Sequence, residues 1–490
     1  MIITEWIGLA LLTPLFAIML RRLRLGLPLA LAVAFGGAAS YLALRLTIMD
    51  VRQALTTAIF VIAYALIASE QIHKTTVALA AAVFMLLIGL IQQEEAFHGT
   101  EAIAGVDWNT IFLLIGMMVV INITRHTGLF QWLAIKAAKI ARGEAVAVII
   151  MISLVTAALS AVLDNVTTVL LIAPVTLLMC KSLNIDAVPP LIFVILSSNI
   201  GGTATLIGDP PNIMIGSAAR LGFVDFLKVD GPVILIVMAA YIATVWIGMR
   251  GRLHVTPEQR AKVMAFDESK AITNHRLLKR SLTVIGITLL GFSLHGPLHL
   301  EPATIALAGA ALMMLMHSEG PEEALREVEW STIFFFIGLF IMVSALVKVG
   351  VVGMMGDGVL ALTKNNVPAM TMLILWLSAI ASGIVGSVPF VATGTVLIHG
   401  IAATLHPEAT TFFEAAHAPD VLPLWWAMSL GACLGGNFTL IGSAANLVVA
   451  GVLTQAEQPV SFIRFMKYSV PITIQGLVIS SAWLWLLFLR

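Results

Sequence analysis

The chain has 490 residues, 59% of them hydrophobic and 11% charged, with 27 basic and 27 acidic side chains in balance. That composition excludes an ordinary water-soluble globule and indicates a polytopic membrane protein. With a net charge of zero, neither nucleic acid nor an anionic surface is implied as a partner.

Taken in order, apolar stretches able to cross a bilayer as helices fall at 5–20, 27–48, 55–69, 76–91 and 108–124. The basic cluster Arg21, Arg22 and Arg24 follows the first stretch instead of preceding it, so 5–20 reads as a span and not as a signal peptide. A pair at 145–163 and 166–180 comes next, then 190–218 and 232–249. The longest polar interval, 250–280, carries Arg250, Arg252, Arg260, Lys262, Lys270, Arg276, Lys279 and Arg280, which marks it as a cytoplasmic linker. Beyond it lie 282–294, 303–317, 332–347, a second pair at 371–385 and 390–405, then 422–453 and 471–489. The sum is about twelve spans in an all-α protein, with both termini expected outside. No GxxxxGK[ST] loop occurs, so ATP binding of that kind is excluded and no cofactor is expected.

The two halves repeat. Asp107-Trp108-Asn109-Thr110-Ile111-Phe112, with Gly116 and Gly128 beyond, recurs as Glu329-Trp330-Ser331-Thr332-Ile333-Phe334 with Gly338 and Gly350, an offset of 222. Farther on, Gly201-Gly202-Thr203-Ala204-Thr205-Leu206-Ile207-Gly208 and Asn212 recur as Gly435-Gly436-Asn437-Phe438-Thr439-Leu440-Ile441-Gly442 and Asn446, an offset of 234. The additional residues fall in the polar loop 406–420. The expected organisation is extra N-terminal spans at 1–52, a first repeat at 53–249, the linker at 250–280 and a second repeat at 281–490. With the linker and the other basic loops inside, Trp108 enters the membrane from outside and Trp330 from inside, so the repeats have inverted topology.

Each paired stretch is interrupted by a short polar tip, Asp164-Asn165 in one half and Gly386-Ser387 in the other, which predicts re-entrant hairpins. Each Gly-rich string sits inside an otherwise continuous span. There glycine and, in the first half, Pro210-Pro211 predict an unwound helix whose free ends can hold a solute. Close helix packing explains any single glycine; a pattern recurring in both halves beside polar residues points to a site. Its candidate binding groups are Asn165, Thr167, Thr168, Asn199, Thr203, Thr205, Asn212, Ser387, Asn437, Thr439, Ser443 and Asn446. Asp164 and Asp209 are candidates for proton or cation coupling, because a carboxylate at membrane depth costs at least a few kcal/mol. The bland alternatives are an N-cap for Asp164 and an ordinary turn for Asp209. Their repeat mates are Gly386 and Ser443, and no Lys or Arg lies in either motif, which favours a neutral solute, a cation or a proton over an anion. Cys180 and Cys433 read as packing residues; one thiol at Cys433 cannot build a multidentate metalloid site. His399 reads as a core histidine, Arg125, His126 and Lys348 as interface anchors, and Trp425-Trp426 as part of an aromatic belt.

The strings LDNVTTVLL and NIGGTATLIGDPPNIMIGS resemble the ArsB/NhaD and P-protein permeases of the ion transporter superfamily, from about Gln53 to the C-terminus. The resemblance implies a scaffold part and a transport part in each half, a homodimer and elevator-like alternating access. It also implies that hairpin tips and unwound helices hold the substrate. Arsenite and antimonite efflux permeases are the most similar members; they exchange the metalloid for protons and can couple to a soluble ATPase. The dicarboxylate branch carries Ser-Asn-Thr signatures in both halves, and the departure here, Asp164-Asn165-Val166-Thr167 and Ser387-Val388-Pro389, argues against dicarboxylates. Arsenite at neutral pH is an uncharged trihydroxide that Asn165, Thr168, Thr203, Asn437 and Thr439 can hydrogen-bond. A sodium/proton antiporter is the rival within the superfamily. An intramembrane aspartyl protease using Asp164 and Asp209 as a dyad is disfavoured, because a dyad needs no second, Asp-free copy of the motif.

Overall fold

The computed structural model describes residues 49–69, 71–99, 105–251, 253–317, 320–409 and 412–490, and the spans expected at 5–20 and 27–48 lie outside them. Among the described residues every regular element is a helix, as a chain crossing lipid requires when each backbone polar group must be paired within its own segment.

In chain order these are α1 (Val51–Ser69), α2 (Lys74–Leu87), α3 (Gln93–His98), α4 (Trp108–Arg125), α5 (Leu129–Ile140), α6 (Ala145–Ser160) and α7 (Asn165–Leu183). There follow α8 (Val188–Gly202), α9 (Pro210–Ala219), α10 (Phe223–Met249), α11 (Pro257–Met264), α12 (His275–Leu298), α13 (Pro302–Met316) and α14 (Pro321–Arg326). The second half adds α15 (Trp330–Lys348), α16 (Val351–Thr363), α17 (Val367–Val385), α18 (Ser387–Leu405), α19 (Phe412–Ala416), α20 (Leu422–Gly435), α21 (Ala444–Gln455) and α22 (Phe462–Phe488). Eight described helices are long and apolar enough to span: α4, α7, α10, α12, α15, α17, α18 and α22.

The described chain forms two compact units, residues 49–108 with 329–359 and residues 109–328 with 360–490. In the first, α15 packs along α2. Glu95 closes a capping box at the start of α3 and accepts a hydrogen bond from Lys348 at 2.5 Å, which holds its carboxyl below the usual range.

The second unit contains both hairpins, α6–α7 and α17–α18, and both broken spans, α8–α9 and α20–α21. The expected continuous stretches 190–218 and 422–453 are each two helices separated at 203–209 and 436–443. All fifteen residues of α8 are buried. α8 lies against α6 so closely that a Cβ at Gly201 would come within 2.2 Å of the Ala157 carbonyl oxygen. At the mate, Gly435 on α20, the Ala379 carbonyl oxygen of α17 would be met at 2.4 Å. The same helix pair is thus packed the same way in both halves.

Three expectations change. α10 and α22 begin at Phe223 and Phe462, earlier than the spans expected at 232–249 and 471–489, because Pro232 and Pro471 lie inside the helices and do not start them. Trp483 supports the turn that Pro232 loosens by donating to the Val229 carbonyl at 3.1 Å. The mates α5 and α16 were not expected; at 12 and 13 residues they are too short to register as spans. Trp425 and Trp426 are core residues, not a belt: they are 0% and 3% exposed, and Trp425 donates to the Ala416 carbonyl at 3.1 Å.

The described part of the linker, 253–280, is folded. It holds α11, capped by Thr256, and a 3-10 turn at Glu268–Ala271. Glu268 bonds Lys136 at 3.2 Å and Lys139 more closely, and chiefly the Lys139 contact pushes the Glu268 carboxyl down to about 2.

Candidate functional site

The site is built from the two breaks. Asn212, in the first turn of α9, donates through Nδ2 to the carbonyls of Thr203 (3.1 Å) and Thr205 (3.0 Å). Its mate Asn446, in the first turn of α21, donates to the carbonyls of Gly436 (2.9 Å) and Thr439 (2.8 Å). Carbonyls freed by unwinding are therefore satisfied by one amide in each half. Thr205 Oγ1 donates to the Ala161 carbonyl at 2.5 Å, and Thr439 Oγ1 makes the equivalent bond to Gly383, so each break is stapled to its hairpin. The hydroxyl of Thr203 goes to Asn199 one turn back, at 2.7 Å. In the first break the backbone turns on itself: a Cβ at Gly202 would lie 2.4 Å from Asn165 Oδ1 and 2.6 Å from the Gly208 carbonyl oxygen.

A second set of bonds crosses between the halves. Asn199 on α8 donates to Asn437 Oδ1 (2.8 Å) and Asn446 Oδ1 (3.1 Å), and its own Oδ1 accepts from Ser443 at 3.3 Å. Cys433, the mate of Asn199, lies on α20 and donates its thiol to Asn212 Oδ1 at 3.2 Å. Asn199 with Asn446 and Cys433 with Asn212 are thus equivalent pairs, each reaching into the opposite half, as a pseudo-two-fold requires. Cys433 is more than packing; it occupies an amide's place in the network.

Asp164 is the N-cap of α7, its Oδ1 accepting from the Thr167 amide at 2.8 Å, so the capping role is realised. Asp209 stands at the corresponding position of α9 without a capping bond, is 5% exposed, and faces Asn165 and Cys433. Asn165 Oδ1 accepts from Ser160 at 2.5 Å. Thr168 is fully buried and its hydroxyl has no partner. Ser387 begins α18 and ties the second hairpin tip to the second break by donating its amide to the Gly442 carbonyl at 3.3 Å. His399 lies edge-on to Trp425 at 4.9 Å.

One acid of this network was not singled out from the sequence. Asp230 lies on α10, is 0% exposed, and meets Ser429 Oγ at 2.6 Å, while Ser429 Oγ also meets Asn212 Oδ1 at 2.8 Å. The signal is an acid two residues before Pro232, just outside the span expected at 232–249. Among the described residues no lysine or arginine bonds Asp164, Asp209 or Asp230. The arrangement offers amides, hydroxyls and acids to a small solute in a buried setting, with no basic side chain among the described residues bonded to the acids.

Residues 64–431 match the family described as Citrate transporter. An uncharacterized transporter of Mycobacterium tuberculosis is 42% identical over 428 residues, covering 87% of this chain and 97% of that protein. The P protein of Homo sapiens is 30% identical over 517 residues, covering 89% of this chain and 60% of that protein. In fold, the chain is similar to the Alcanivorax borkumensis YdaH transporter, a structure described as having an unusual topology: the TM-score is 0.53 at 13% identity, over 88% of this chain and 98% of that one.

Proposed function

The chain belongs to the citrate transporter family within the ion transporter superfamily, and from that premise we propose that it exports arsenite or antimonite, as the neutral trihydroxide, in exchange for protons. The coarse reading is plain: it is a multi-pass membrane protein and a secondary transporter. The substrate reading rests on one observation, that amides, a thiol and hydroxyls from both halves bond one another beside the buried acids Asp209 and Asp230, with no basic side chain among the described residues bonded to either acid. A citrate anion would desolvate its carboxylates there without a counter-charge, at a cost of several kcal/mol per ion. A trihydroxide instead exchanges the Asn199–Asn437 and Asn199–Asn446 bonds for bonds to its own hydroxyls. Asp164 and Asp209 carry the coupling protons, and alternating access is elevator-like.

The second reading, a sodium/proton antiporter, draws on Asp164 at the first hairpin tip and Asp209 at the first break, two acids that a bound cation would neutralise. In both readings the protein sits in the inner (plasma) membrane with the linker cytoplasmic and both termini outside. By the resemblance, the protein works as a homodimer and can couple to a soluble ATPase.

Everted vesicles under a fixed pH gradient test this. Uptake of arsenite that collapses with the gradient is the expected result. Sodium uptake without arsenite would end the metalloid reading, and citrate uptake would defeat the argument from the missing counter-charge. Asn437→Ala should cripple uptake, whereas a protease acting through Asp164 and Asp209 would survive it.

A further inference from the structure

We infer that Asp230 is a proton-binding site of this transporter, held as a neutral carboxylic acid whose proton sets the donor that Ser429 offers to Asn212. The argument is a count of protons. Ser429 has one hydroxyl hydrogen and meets two oxygens, Asn212 Oδ1 at 2.8 Å and Asp230 Oδ2 at 2.6 Å. The Asn212 amide cannot be turned round, because its Nδ2 already serves the Thr203 and Thr205 carbonyls, and its Oδ1 also receives the Cys433 thiol. Asn212 Oδ1 is therefore an acceptor only. If Asp230 were a carboxylate, one of the two short O···O contacts would have no hydrogen in it. With a proton on Oδ2, both are satisfied in one direction: Asp230 donates to Ser429, and Ser429 donates to Asn212.

Burial agrees with the count. Asp230 is 0% exposed, and its Oδ1 has no hydrogen-bond partner. An unpartnered oxygen is tolerable on the carbonyl of a neutral acid and very costly on a carboxylate. Among the described residues no lysine, arginine or histidine pairs with it; the titratable groups that face this cluster are Cys433 on α20 and, beyond the thiol, Asp209. By its place in α22 relative to Pro471, Ser469 is the counterpart of Asp230, and it reaches the second break directly, with its hydroxyl 3.3 Å from the Phe438 carbonyl. The acid is thus an addition to the first half alone.

Loss of the proton leaves a carboxylate, which takes the single Ser429 hydrogen for itself and withdraws it from Asn212. The amide that pins the first break then loses a donor, so proton release at Asp230 is felt at the unwound segment. This deepens the proton-exchange reading and rests on it for the coupling step, whereas the protonation state stands by itself.

The test uses the full chain reconstituted in lipid. Infrared spectra should contain a carboxylic-acid carbonyl band that is insensitive to bulk pH near neutrality and absent from Asp230→Asn. That variant should melt within a few degrees of the parent, since an amide NH2 donates to Ser429 as the acid does, whereas Asp230→Ala should melt lower. In everted vesicles Asp230→Asn should lose gradient-driven uptake. A spectrum with no band assignable to Asp230, or an Asp230→Asn protein as unstable as Asp230→Ala, overturns the neutral acid. Unchanged pH dependence of uptake in Asp230→Asn overturns its part in coupling while leaving the arsenite reading intact. A band present in a protein that carries no arsenite would sink the substrate reading and leave the proton site standing.

Discussion

Asn212 and Asn446 do the same work in opposite halves, and their value is set by what their loss would strand. Replacing either by alanine leaves two buried carbonyls at a helix break without donors. At about 1–3 kcal/mol for each stranded group, with relaxation and water recovering part of it, each variant should lose on the order of 2–4 kcal/mol. Thermal unfolding in detergent measures this, and a large loss at one mate with none at the other would reject the equivalence of the two breaks. The thiol of Cys433 makes a sharper case. If its role is to donate to Asn212 Oδ1, as the 3.2 Å contact indicates, then Cys433→Ser should retain more arsenite uptake than Cys433→Ala, because the hydroxyl still donates. A metalloid–sulfur bond would make the two variants equally inactive.

At the scale of elements, the hairpins and breaks were legible because glycine and proline interrupt apolar runs at matching places in both halves. The roles of the interrupting residues were not. Nothing in the string TATLIGDPPN says that Thr205 reaches the Ala161 carbonyl while Asn165 turns toward Asp209, since both partners are supplied by a hairpin some forty residues away. Pro232 and Pro471 misled for a physical reason: proline is favoured in a first turn, yet a packed bundle accepts it in mid-helix when neighbours satisfy the loosened backbone. Asp230 precedes Pro232 and so lies outside the span expected from the sequence. The polar segments bear two further predictions. The Glu268 clasp on Lys136 and Lys139 should persist from neutral pH down toward the depressed value near 2, since a lowered carboxylate contributes above its unfolded value and is lost only as pH falls through the folded one. Glu268→Gln should therefore raise hydrogen exchange in 250–272 at neutral pH, where the parent is protected. His406 behaves oppositely. Asp420 at 2.7 Å and Glu408 at 3.2 Å raise its pKa, so the clamp is fully present below the ordinary histidine value and is lost as pH rises through the raised one. Exchange in the segment between His406 and Asp420 should increase on that upward titration, and His406→Gln should abolish the pH dependence.

For the molecule as a whole, the inverted repeat makes a claim about sides that contacts outside the site already support. His126 bonds Glu327 at 3.0 Å and Thr273 N–H donates to Thr127, which puts the α4–α5 turn, the linker and the segment before α15 on one face. Asp186 pairs with Arg464, so the α7–α8 loop and the start of α22 share a face as well. Arg220, His295, His299 and Glu301 line a single cavity of about 370 Å³, which joins the end of α9 to the α12–α13 turn. Running the chain through α8, α9 and α10 from the linker places that cavity on the opposite face from Asp186. The loop carrying His406 leads into α20, the inverted mate of α8, and so belongs with the cavity and not with the linker. Both native cysteines are buried, so single cysteines introduced at Lys270, Asp186, His299 and Glu408 can be probed in intact cells with an impermeant thiol reagent. With the basic linker inside, His299→Cys and Glu408→Cys should label, while Lys270→Cys and Asp186→Cys should label only after the membrane is opened. If Asp186→Cys and Glu408→Cys label from the same side, the loops before α8 and α20 are not related by inversion. The two breaks could not then approach one another from opposite membrane faces, and the pairing of Asn199 with Asn446 and of Cys433 with Asn212 would lose its explanation.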